Sequence, residues 1–397
     1  MNTSTSPFDE AEILAEATSR AGLTRFGGDD FREPLGVLLA SLAQSPLHPL
    51  GTQILRRSTV SSLVSRLRAQ YWFEKYPEIE DERIESPLVV VGMMRSGTTL
   101  MQRLLASDSR HYSALGWEVR APAPKPGAWP ASPDPRIAVA EGESELTRLH
   151  APELFAIHPS YAHQAEEEIV FLADAFLSHV PEASCDLPHY RSWLDDQDFQ
   201  PAYDYLYRML QLLQWQKKQR GENRGRWILK TPAHLGYLEN LLARFPDCLV
   251  VHMHRDPLET IPSGASLNTT LWRMHAQDVD PHRVGRQWIE RMKWANDRAM
   301  ASRNTLAVER ESFIDVSFRD ALAEPLSQVH RIYEKAGIAP RKETDEAMRG
   351  WLRENAREKL PHHKYGPKEF GLTSKEIRET FASYTSRFIT DQAEDNR

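Results

Sequence analysis

The residues best suited to chemistry lie close together in GMMRSGTT, the stretch from Gly92 to Thr99. Its glycines and threonines have the spacing of a phosphate-binding loop, except that Thr98 stands where that loop carries a lysine. An apolar run precedes the stretch and a helical pattern follows it, so its backbone N–H groups open a helix and attract anions. The stretch therefore predicts a phosphate site that is poorly equipped for nucleotide hydrolysis. Arg95 supplies a cation that can donate two hydrogen bonds to the bound anion.

Two further cations and a hydroxyl group follow predicted strands later in the chain. Lys230 ends one strand, Arg255 follows another, and Ser263 lies eight residues farther on. Arg95 and Lys230 suit the transfer of an anionic group, because negative charge builds on the leaving oxygen in the transition state. Arg255 and Ser263 could share a second phosphate. Together, these residues indicate a nucleotide that carries phosphate groups at two separate positions.

The elements that must position these residues are four predicted strands. The apolar run after Pro87 ends at Gly92 and is typical of a parallel strand buried on both faces. Strand, helix and strand follow one another within about 30 residues later in the chain, which predicts a parallel pair with a right-handed crossover. Such sheets bind ligands beyond the carboxyl ends of their strands, so the cations above and Phe318 should surround one crevice. The predicted strands cover residues 87–91, 226–230, 248–254 and 313–318.

The rest of the sequence predicts helices around this sheet. Residues 1–85 contain helical patterns and no strand, and all predicted strands follow them. We therefore expect an α/β fold, with a P-loop-containing central parallel sheet flanked by helices in residues 86–397 and an all-helical N-terminal extension in residues 1–85. The predicted helices cover residues 9–21, 32–42, 52–76, 137–149, 165–176, 201–219, 235–244 and 326–336.

Composition narrows the class of protein. The chain has 397 residues and a formal net charge of -7, which argues against a general surface for nucleic acid or anionic membranes. Cys185 and Cys248 are its only cysteines, too few for a disulfide framework and without the spacing of metal ligands. The sequence has no signal-peptide pattern and no apolar run of about 20 residues. We therefore expect a cytoplasmic protein with no transmembrane segment and no metal site.

Three segments of this sequence together resemble one known family. VGMMRSGTTL at 91–100, LKTPAH at 229–234, and RDP at 255–257 followed by Ser263 are similar to the P-loop sulfotransferases that use 3′-phosphoadenosine 5′-phosphosulfate (PAPS). The likeness is closest to the bacterial branch that is similar to tyrosylprotein sulfotransferases, and it covers about residues 87–388. The resemblance implies sulfuryl transfer from PAPS without a metal ion.

The resemblance also implies a role for each matching residue. Arg95 and Lys230 would stabilise the departing phosphate oxygen, and Arg255 with Ser263 would hold the 3′-phosphate of the donor. Phe318 stands where many members carry a tyrosine near the adenine, so its ring could pack on the base without a hydroxyl contact. The 5′-phosphate would be held by the backbone of Ser96, Gly97, Thr98 and Thr99.

The general base that removes the acceptor proton has two candidates. In the tyrosylprotein branch a glutamate downstream of the loop arginine does this, and Glu118 falls at that place with a short insertion allowed. The cytosolic branch uses a histidine shortly after the strand lysine, where this chain has Pro232, and His234 lies two residues farther. Either group can act if burial brings its pKa near the operating pH. We place Glu118 first and His234 second.

The leading hypothesis is an enzyme that moves a sulfuryl group from PAPS to the hydroxyl, or less readily the amine, of a small acceptor by in-line displacement. The first alternative is a P-loop kinase or nucleotide triphosphatase, which the missing loop lysine disfavours. The second is a catalytically inactive, nucleotide-dependent interaction protein. The apolar stripe of the predicted helix 52–76 needs a partner, either the main domain or a second copy of the chain in a homodimer. The sequence does not identify the acceptor.

Overall fold

Four strands form one sheet in the computed structural model, which describes residues 6–129, 131–152, 155, 159–305, 309–355 and 366–389. The strands are β1 (Leu88–Gly92), β2 (Ile228–Lys230), β3 (Leu249–His254) and β4 (Phe313–Ser317). Their order in the sheet is β2-β1-β3-β4, and each neighbouring pair is parallel. The predicted α/β class with a central parallel sheet is therefore confirmed.

Burial explains why these strands could be predicted. Every residue of β1, β2 and β3 is buried, as expected for parallel strands that are covered on both faces. A hydrophobic core joins the strands to the helices around them, and it includes Leu88, Val90, Leu104, Val251, Met253, Val316 and Ile332. Because parallel strands bring their carboxyl ends to one edge of the sheet, the residues that follow β1, β2 and β3 lie along that edge.

Helices surround the sheet in chain order. Those before β1 are α1 (Glu10–Ala21), α2 (Arg32–Gln44) and α3 (Pro49–Lys75). Those between β1 and β2 are α4 (Thr98–Ala106), α5 (Gly116–Arg120), α6 (Pro135–His150), α7 (Ile169–Asp174), α8 (Val180–Ser184), α9 (Pro188–Asp195) and α10 (Gln200–Gln219).

The remaining helices follow β2. They are α11 (Leu238–Arg244), α12 (Pro257–Arg273), α13 (Pro281–Thr305), α14 (Glu309–Ser312), α15 (Phe318–Ala323), α16 (Pro325–Lys335), α17 (Lys342–Glu354), α18 (Ser374–Thr380) and α19 (Ala382–Phe388). Short 3₁₀ turns occupy Pro77–Asp81, Pro232–Tyr237 and Pro367–Phe370. Hydropathy along the described helices nowhere reaches what a membrane-spanning helix requires.

Two predicted helices differ from the structure. The segment 235–244 begins as the 3₁₀ turn before α11, because Gly236 lies against α13: a Cβ atom there would be 2.5 Å from the ring of Trp294. The segment 165–176 shortens to α7, and the residue that follows its last turn, Phe176, has a positive φ of 59° that ends the helix. Local contacts set these helix ends, and hydrophobic periodicity does not report such contacts.

The chain divides into two compact units. One comprises residues 1–84, 114–223 and 270–279, and its described part is helical with no strand of the sheet. The other comprises residues 85–113, 224–269 and 280–397 and contains the whole sheet. The helices before β1 thus share a unit with later segments of the chain. The predicted division into residues 1–85 and 86–397 stays a prediction.

The first unit gives the apolar stripe of α3 a partner within the chain. Helices α1 and α3 pack together, and the buried residues include Ile13 and Ala17 of α1 and Leu63 of α3. Arg66 of α3 is also buried, with its guanidinium 4.4 Å from the centre of the Phe31 ring. This stripe is therefore satisfied without a second subunit, and a homodimer stays a prediction.

Candidate functional site

The loop between β1 and α4 has the shape of a phosphate cradle. It folds back where the N–H group of Ser96 donates to the carbonyl of Met93 at 3.0 Å. Arg95 and Gly97 have positive φ angles of 72° and 92°. At Gly92, a Cβ atom would lie 2.6 Å from a main-chain oxygen of β3, so glycine is needed for this close approach. The sequence motif therefore folds into the compact turn that it predicts.

The start of α4 is suited to an anion. Gly97 is the N-cap residue, and no side chain caps the helix, so the first N–H groups are available to a ligand. Ser96 is fully buried, and its hydroxyl has no hydrogen-bond partner among the described residues. Oxygen atoms of a bound phosphate would satisfy both kinds of donor. The residues present in this loop thus fit a phosphate group.

Lys230 brings a cation to this loop from the neighbouring strand. The residue is 1% exposed, and its Nζ atom donates to Oγ1 of Thr99 at 3.0 Å. Its place at the end of β2 is set by the register with β1, in which it pairs with Val90. The structure therefore brings the predicted lysine into contact with the first turn of α4.

Arg95 links the loop to the residues that follow β3. Its Nε atom donates to Oγ of Ser263 at 3.0 Å, and its main-chain carbonyl accepts a hydrogen bond from Nη1 of Arg255 at 2.9 Å. Arg255 also pairs with Glu259 through Nε at 3.0 Å and through Nη2. The predicted partners Arg255 and Ser263 are thus joined through Arg95 within one cluster.

Phe318, the first residue of α15, packs against two of these residues. The centre of its ring lies 4.2 Å from Cζ of Arg255, which is the geometry of a cation–π contact. A Cβ atom on Gly97 would lie 2.4 Å from the same ring. Phe318 therefore supports both the loop and Arg255, whereas its contact with adenine stays a prediction.

His234 lies in the 3₁₀ turn that follows Lys230. It is fully buried, and its N–H group donates to the carbonyl of Thr231 at 3.2 Å. The turn is attached to α13, because Nε of Arg298 donates to the carbonyl of Gly236 at 2.9 Å. His234 therefore belongs to the same unit as the loop, Lys230 and Arg255.

Glu118 lies in the helical unit and is held by several donors. It is 1% exposed, and each of its carboxylate oxygens accepts a hydrogen bond from Nζ of Lys217 at 2.7 Å. One of these oxygens also accepts from the N–H group of Leu115 at 3.0 Å. Sequence reasoning missed Lys217, which is 99 residues away on α10. The carboxylate is thus the acceptor of a buried ion pair.

A cluster on β3 and β4 was also missed. Among the described residues, His252, His254 and Asp315 form a group whose ligand-type atoms all lie within 4.8 Å of one another. Arg303 of α13 donates to both oxygens of Asp315, at 2.7 and 3.0 Å, and to Nδ1 of His252 at 3.0 Å. The alternating histidines of HMH share one face of β3, and this spacing was the available signal.

Electrostatics support neutral histidines in this cluster. Burial lowers the pKa of His252 and of His254, with the charge of Arg303 adding to the effect. Burial alone would raise the pKa of Asp315, but its hydrogen bonds with His254 and Arg303 hold it well below the usual range. The carboxylate and the guanidinium are therefore the charged pair, and the imidazoles serve as neutral hydrogen-bonding groups.

The fold and the site together define a class of protein. A parallel sheet carries a glycine loop after its first strand, the lysine of that loop is missing, and cations gather at the carboxyl edge. This is a nucleotide-binding α/β protein of the P-loop class without the hydrolytic lysine. Residues 87–342 match the model of the sulfotransferase family, and the chain belongs to that family.

Relatives and solved structures agree with this assignment. The chain is similar to crystal structures of sulfotransferase STF1 from Mycobacterium tuberculosis H37Rv, with 31% identity, a TM-score of 0.82, and 94% of this chain and 98% of that chain covered. It is also similar to sulfotransferase STF9 from Mycobacterium avium, with 27% identity, a TM-score of 0.85, and 98% of each chain covered.

A curated relative has a printed activity. It is the omega-hydroxy-beta-dihydromenaquinone-9 sulfotransferase Stf3 of Mycobacterium bovis and of Mycobacterium tuberculosis, each 24% identical over 278 residues. The match covers 64% of this chain and 63% of the relative, so it spans less than two thirds of that protein's length. Family membership with PAPS as the sulfuryl donor is therefore firmer than any particular acceptor.

Proposed function

We propose that this protein transfers a sulfuryl group from PAPS to the hydroxyl of a small acceptor. The observation that carries the proposal is the cluster at the carboxyl edge of the sheet. There, a lysine-free glycine loop is contacted by Lys230 on one side chain and by Arg255 on its main chain. Such a site offers two separate places for phosphate and none of the groups that a nucleotide triphosphatase needs at its loop lysine.

The donor would be held at both ends of its nucleotide. The N–H groups at the start of α4 and the Ser96 hydroxyl would bind the 5′-phosphate, while Arg255 and Ser263 would bind the 3′-phosphate. The partners that these residues now have, Glu259 for Arg255 and Arg95 for Ser263, would be exchanged for phosphate oxygens. The ring of Phe318 would form a wall beside the adenine.

The chemistry is an in-line displacement at sulfur. The acceptor oxygen forms a bond to sulfur while the bond from sulfur to the bridging phosphate oxygen breaks, and adenosine 3′,5′-bisphosphate leaves with the added negative charge. Arg95 and Lys230 stabilise that charge as it develops on the leaving oxygen. The acceptor proton passes to a general base. The donor carries the reactive group itself, so these protein residues supply positioning and charge.

The contacts of the two base candidates support His234 over Glu118. Lys217 and the N–H group of Leu115 stabilise the Glu118 carboxylate, which weakens its affinity for a proton. Protonation would also leave the buried ammonium of Lys217 without its ion pair. His234 follows Lys230 in the same unit as the donor loop. We therefore assign the proton transfer to His234 and a structural role to Glu118.

The acceptor proposed is an alcohol and not an amine. The relative of known activity is named for an omega-hydroxy compound, which is an alcohol at the end of a lipid chain. An alcohol also suits a histidine base, because an ammonium group would have to lose an additional proton before it could attack. This step of the proposal rests on the relative's printed name and goes no further than the functional group.

The proposed function is tested first by ligand-dependent stability. At a concentration about 100 times its Kd, adenosine 3′,5′-bisphosphate without magnesium should stabilise the protein by about 2.7 kcal/mol. The melting temperature is measured with this ligand and, in parallel, with ATP and magnesium. A larger shift with ATP and magnesium would overturn the proposal in favour of a kinase. The protein is then incubated with PAPS and a panel of alcohols, phenols, sterols and amines, and sulfated products are detected by mass.

A further inference from the structure

The C-terminal helix α19 reaches the main chain of Arg255. Tyr384 of this helix is 1% exposed, and its hydroxyl is hydrogen-bonded to the backbone of Arg255. The same hydroxyl lies 3.2 Å from Nδ1 of His254. Arg255 directly follows β3, whose pairing with β4 ends at His254. Tyr384 thus provides a partner for the main chain at the point where Arg255 leaves the sheet.

The hydrogen bonds of this cluster have one consistent direction. His254 is neutral, and its Nε2 atom lies 2.7 Å from the ionised Asp315, so Nε2 carries the proton and donates. Nδ1 is then an acceptor, and the hydroxyl of Tyr384 donates to it. The oxygen of Tyr384 remains free to accept the N–H group of Arg255. Arg303 completes the chain by donating to Asp315.

A metal ion is a poorer occupant of this cluster than the arginine already there. The guanidinium of Arg303 contacts two of the three ligand-type side chains, His252 and Asp315. An added cation would have to displace this charged group from a buried position, because Arg303 is 4% exposed. The cluster therefore acts as a hydrogen-bonded support and not as a metal site.

Ring packing fixes the support from the other side. His254 and Phe388 of α19 are stacked, with ring centres 4.0 Å apart and planes inclined by 10°. The rings of Tyr384 and Phe388 lie 5.4 Å apart. Helix α19 is therefore attached to β3 by apolar contact as well as by hydrogen bonds, and the position of the Tyr384 hydroxyl is well defined.

We propose that Tyr384 is a positioning residue for the 3′-phosphate of the donor, acting through Arg255. Its hydroxyl, together with His254 and Asp315, fixes the main chain from which the Arg255 side chain extends toward Phe318 and the donor loop. This inference rests on the proposed function, because it assigns the 3′-phosphate to Arg255. It predicts that the hydroxyl matters for a nucleotide with a 3′-phosphate and not for one without it.

The test compares two nucleotides on the Tyr384→Phe variant. This change removes the hydroxyl and keeps the ring that packs on Phe388. We expect the Kd for adenosine 3′,5′-bisphosphate to rise about fivefold, the effect of one neutral hydrogen bond. The Kd for adenosine 5′-phosphate should not change. In an Arg255→Ala background, Tyr384→Phe should have no further effect on either ligand.

Tyr333→Phe is the matched control. Tyr333 is also 1% exposed and lies in the same unit, but its hydroxyl donates to Asp108 at 2.8 Å. It should lose stability without changing either affinity. Equal affinities in Tyr384→Phe and the native protein, or equal losses for both nucleotides, would overturn the positioning role. If the native protein itself shows no preference for the bisphosphate, the proposed function fails, which is a different result.

Discussion

Lys230 is the residue with the clearest expected effect on turnover. Its ammonium group is 1% exposed and contacts the first turn of α4 through Thr99. Because it is proposed to stabilise charge that develops in the transition state, Lys230→Ala should lower kcat by roughly 10²-fold to 10³-fold. The Kd for adenosine 3′,5′-bisphosphate should change much less. Steady-state kinetics and calorimetry measure the two quantities.

An exposed lysine provides the control for this change. Lys342 has a side chain that is 86% exposed, and Lys342→Ala should leave both kcat and the nucleotide Kd as they are. Near-native turnover in Lys230→Ala would refute the catalytic role of Lys230.

His234 is tested by chemical rescue. If it is the base, His234→Ala should lower kcat by about 10²-fold or more, and added imidazole should restore part of the loss. Glu118→Gln should instead lower stability by about 3 kcal/mol, because it leaves Lys217 buried without its ion pair. Kinetics per folded enzyme separate the two effects. Loss of turnover in Glu118→Gln at full folding, with no rescue of His234→Ala, would make Glu118 the base.

Residue identity alone predicted the cations and not their contacts. Arg95, Lys230 and Arg255 were identifiable because motif spacing and strand ends are local features of the sequence. The partner of Glu118 was not, because Lys217 follows 99 residues later on another helix. Tyr384 likewise carries no motif. Its role depends on tertiary packing against β3, which the order of residues in one helix does not report.

At the scale of the element, the loop between β1 and α4 depends on Gly97. An alanine there would have a φ angle of 92° and a Cβ atom 2.4 Å from the ring of Phe318. The positive φ costs about 1 kcal/mol, and the overlap with the ring costs about 1–3 kcal/mol more. Gly97→Ala should therefore weaken binding of adenosine 3′,5′-bisphosphate, because the displaced ring also supports Arg255. Calorimetric titration measures this loss.

Gly337→Ala separates backbone strain from overlap. Gly337 has a φ angle of 66°, and a Cβ atom there would meet nothing within 4 Å. This variant should lose about 1 kcal/mol of stability and keep its nucleotide affinity. Equal nucleotide affinities for the two alanine variants would show that the contact of Gly97 with Phe318 has no part in binding.

Strands were easier to predict than helices in this chain. A buried parallel strand is a short apolar run, and each of the four runs became a strand of the sheet. Helix α13 was missed, although Val284, Trp288 and Met292 lie at helical spacing along it. Its face also carries the buried polar residues Arg291 and Arg303, which interrupt the hydrophobic pattern. Those arginines are buried because they have partners elsewhere in the fold.

At the scale of the whole molecule, stability should depend on pH through Asp174. This residue is 2% exposed, and burial raises the pKa of its carboxyl from 3.8 to about 7. The folded state therefore holds a proton that the unfolded state releases. Stability from this group is present below pH 4 and is lost as the pH rises toward 7. Asp174→Asn cannot ionise, so its gain over the native protein should be about 2 kcal/mol larger at pH 8 than at pH 5.

Urea denaturation at the two pH values measures the difference. Asp81→Asn changes an exposed carboxyl group and should give the same small effect at both. A gain in Asp174→Asn that does not grow between pH 5 and pH 8 would contradict a protonated Asp174 in the folded protein.

The hydrogen bond between His254 and Tyr384 spans 130 residues of the chain. During synthesis, the glycine loop and β3 leave the ribosome long before α19 does. A nascent chain can thus form the cradle for the 5′-phosphate while the arginine for the 3′-phosphate still lacks its tyrosine. Full discrimination between singly and doubly phosphorylated adenosine is acquired only when the last described helix has docked.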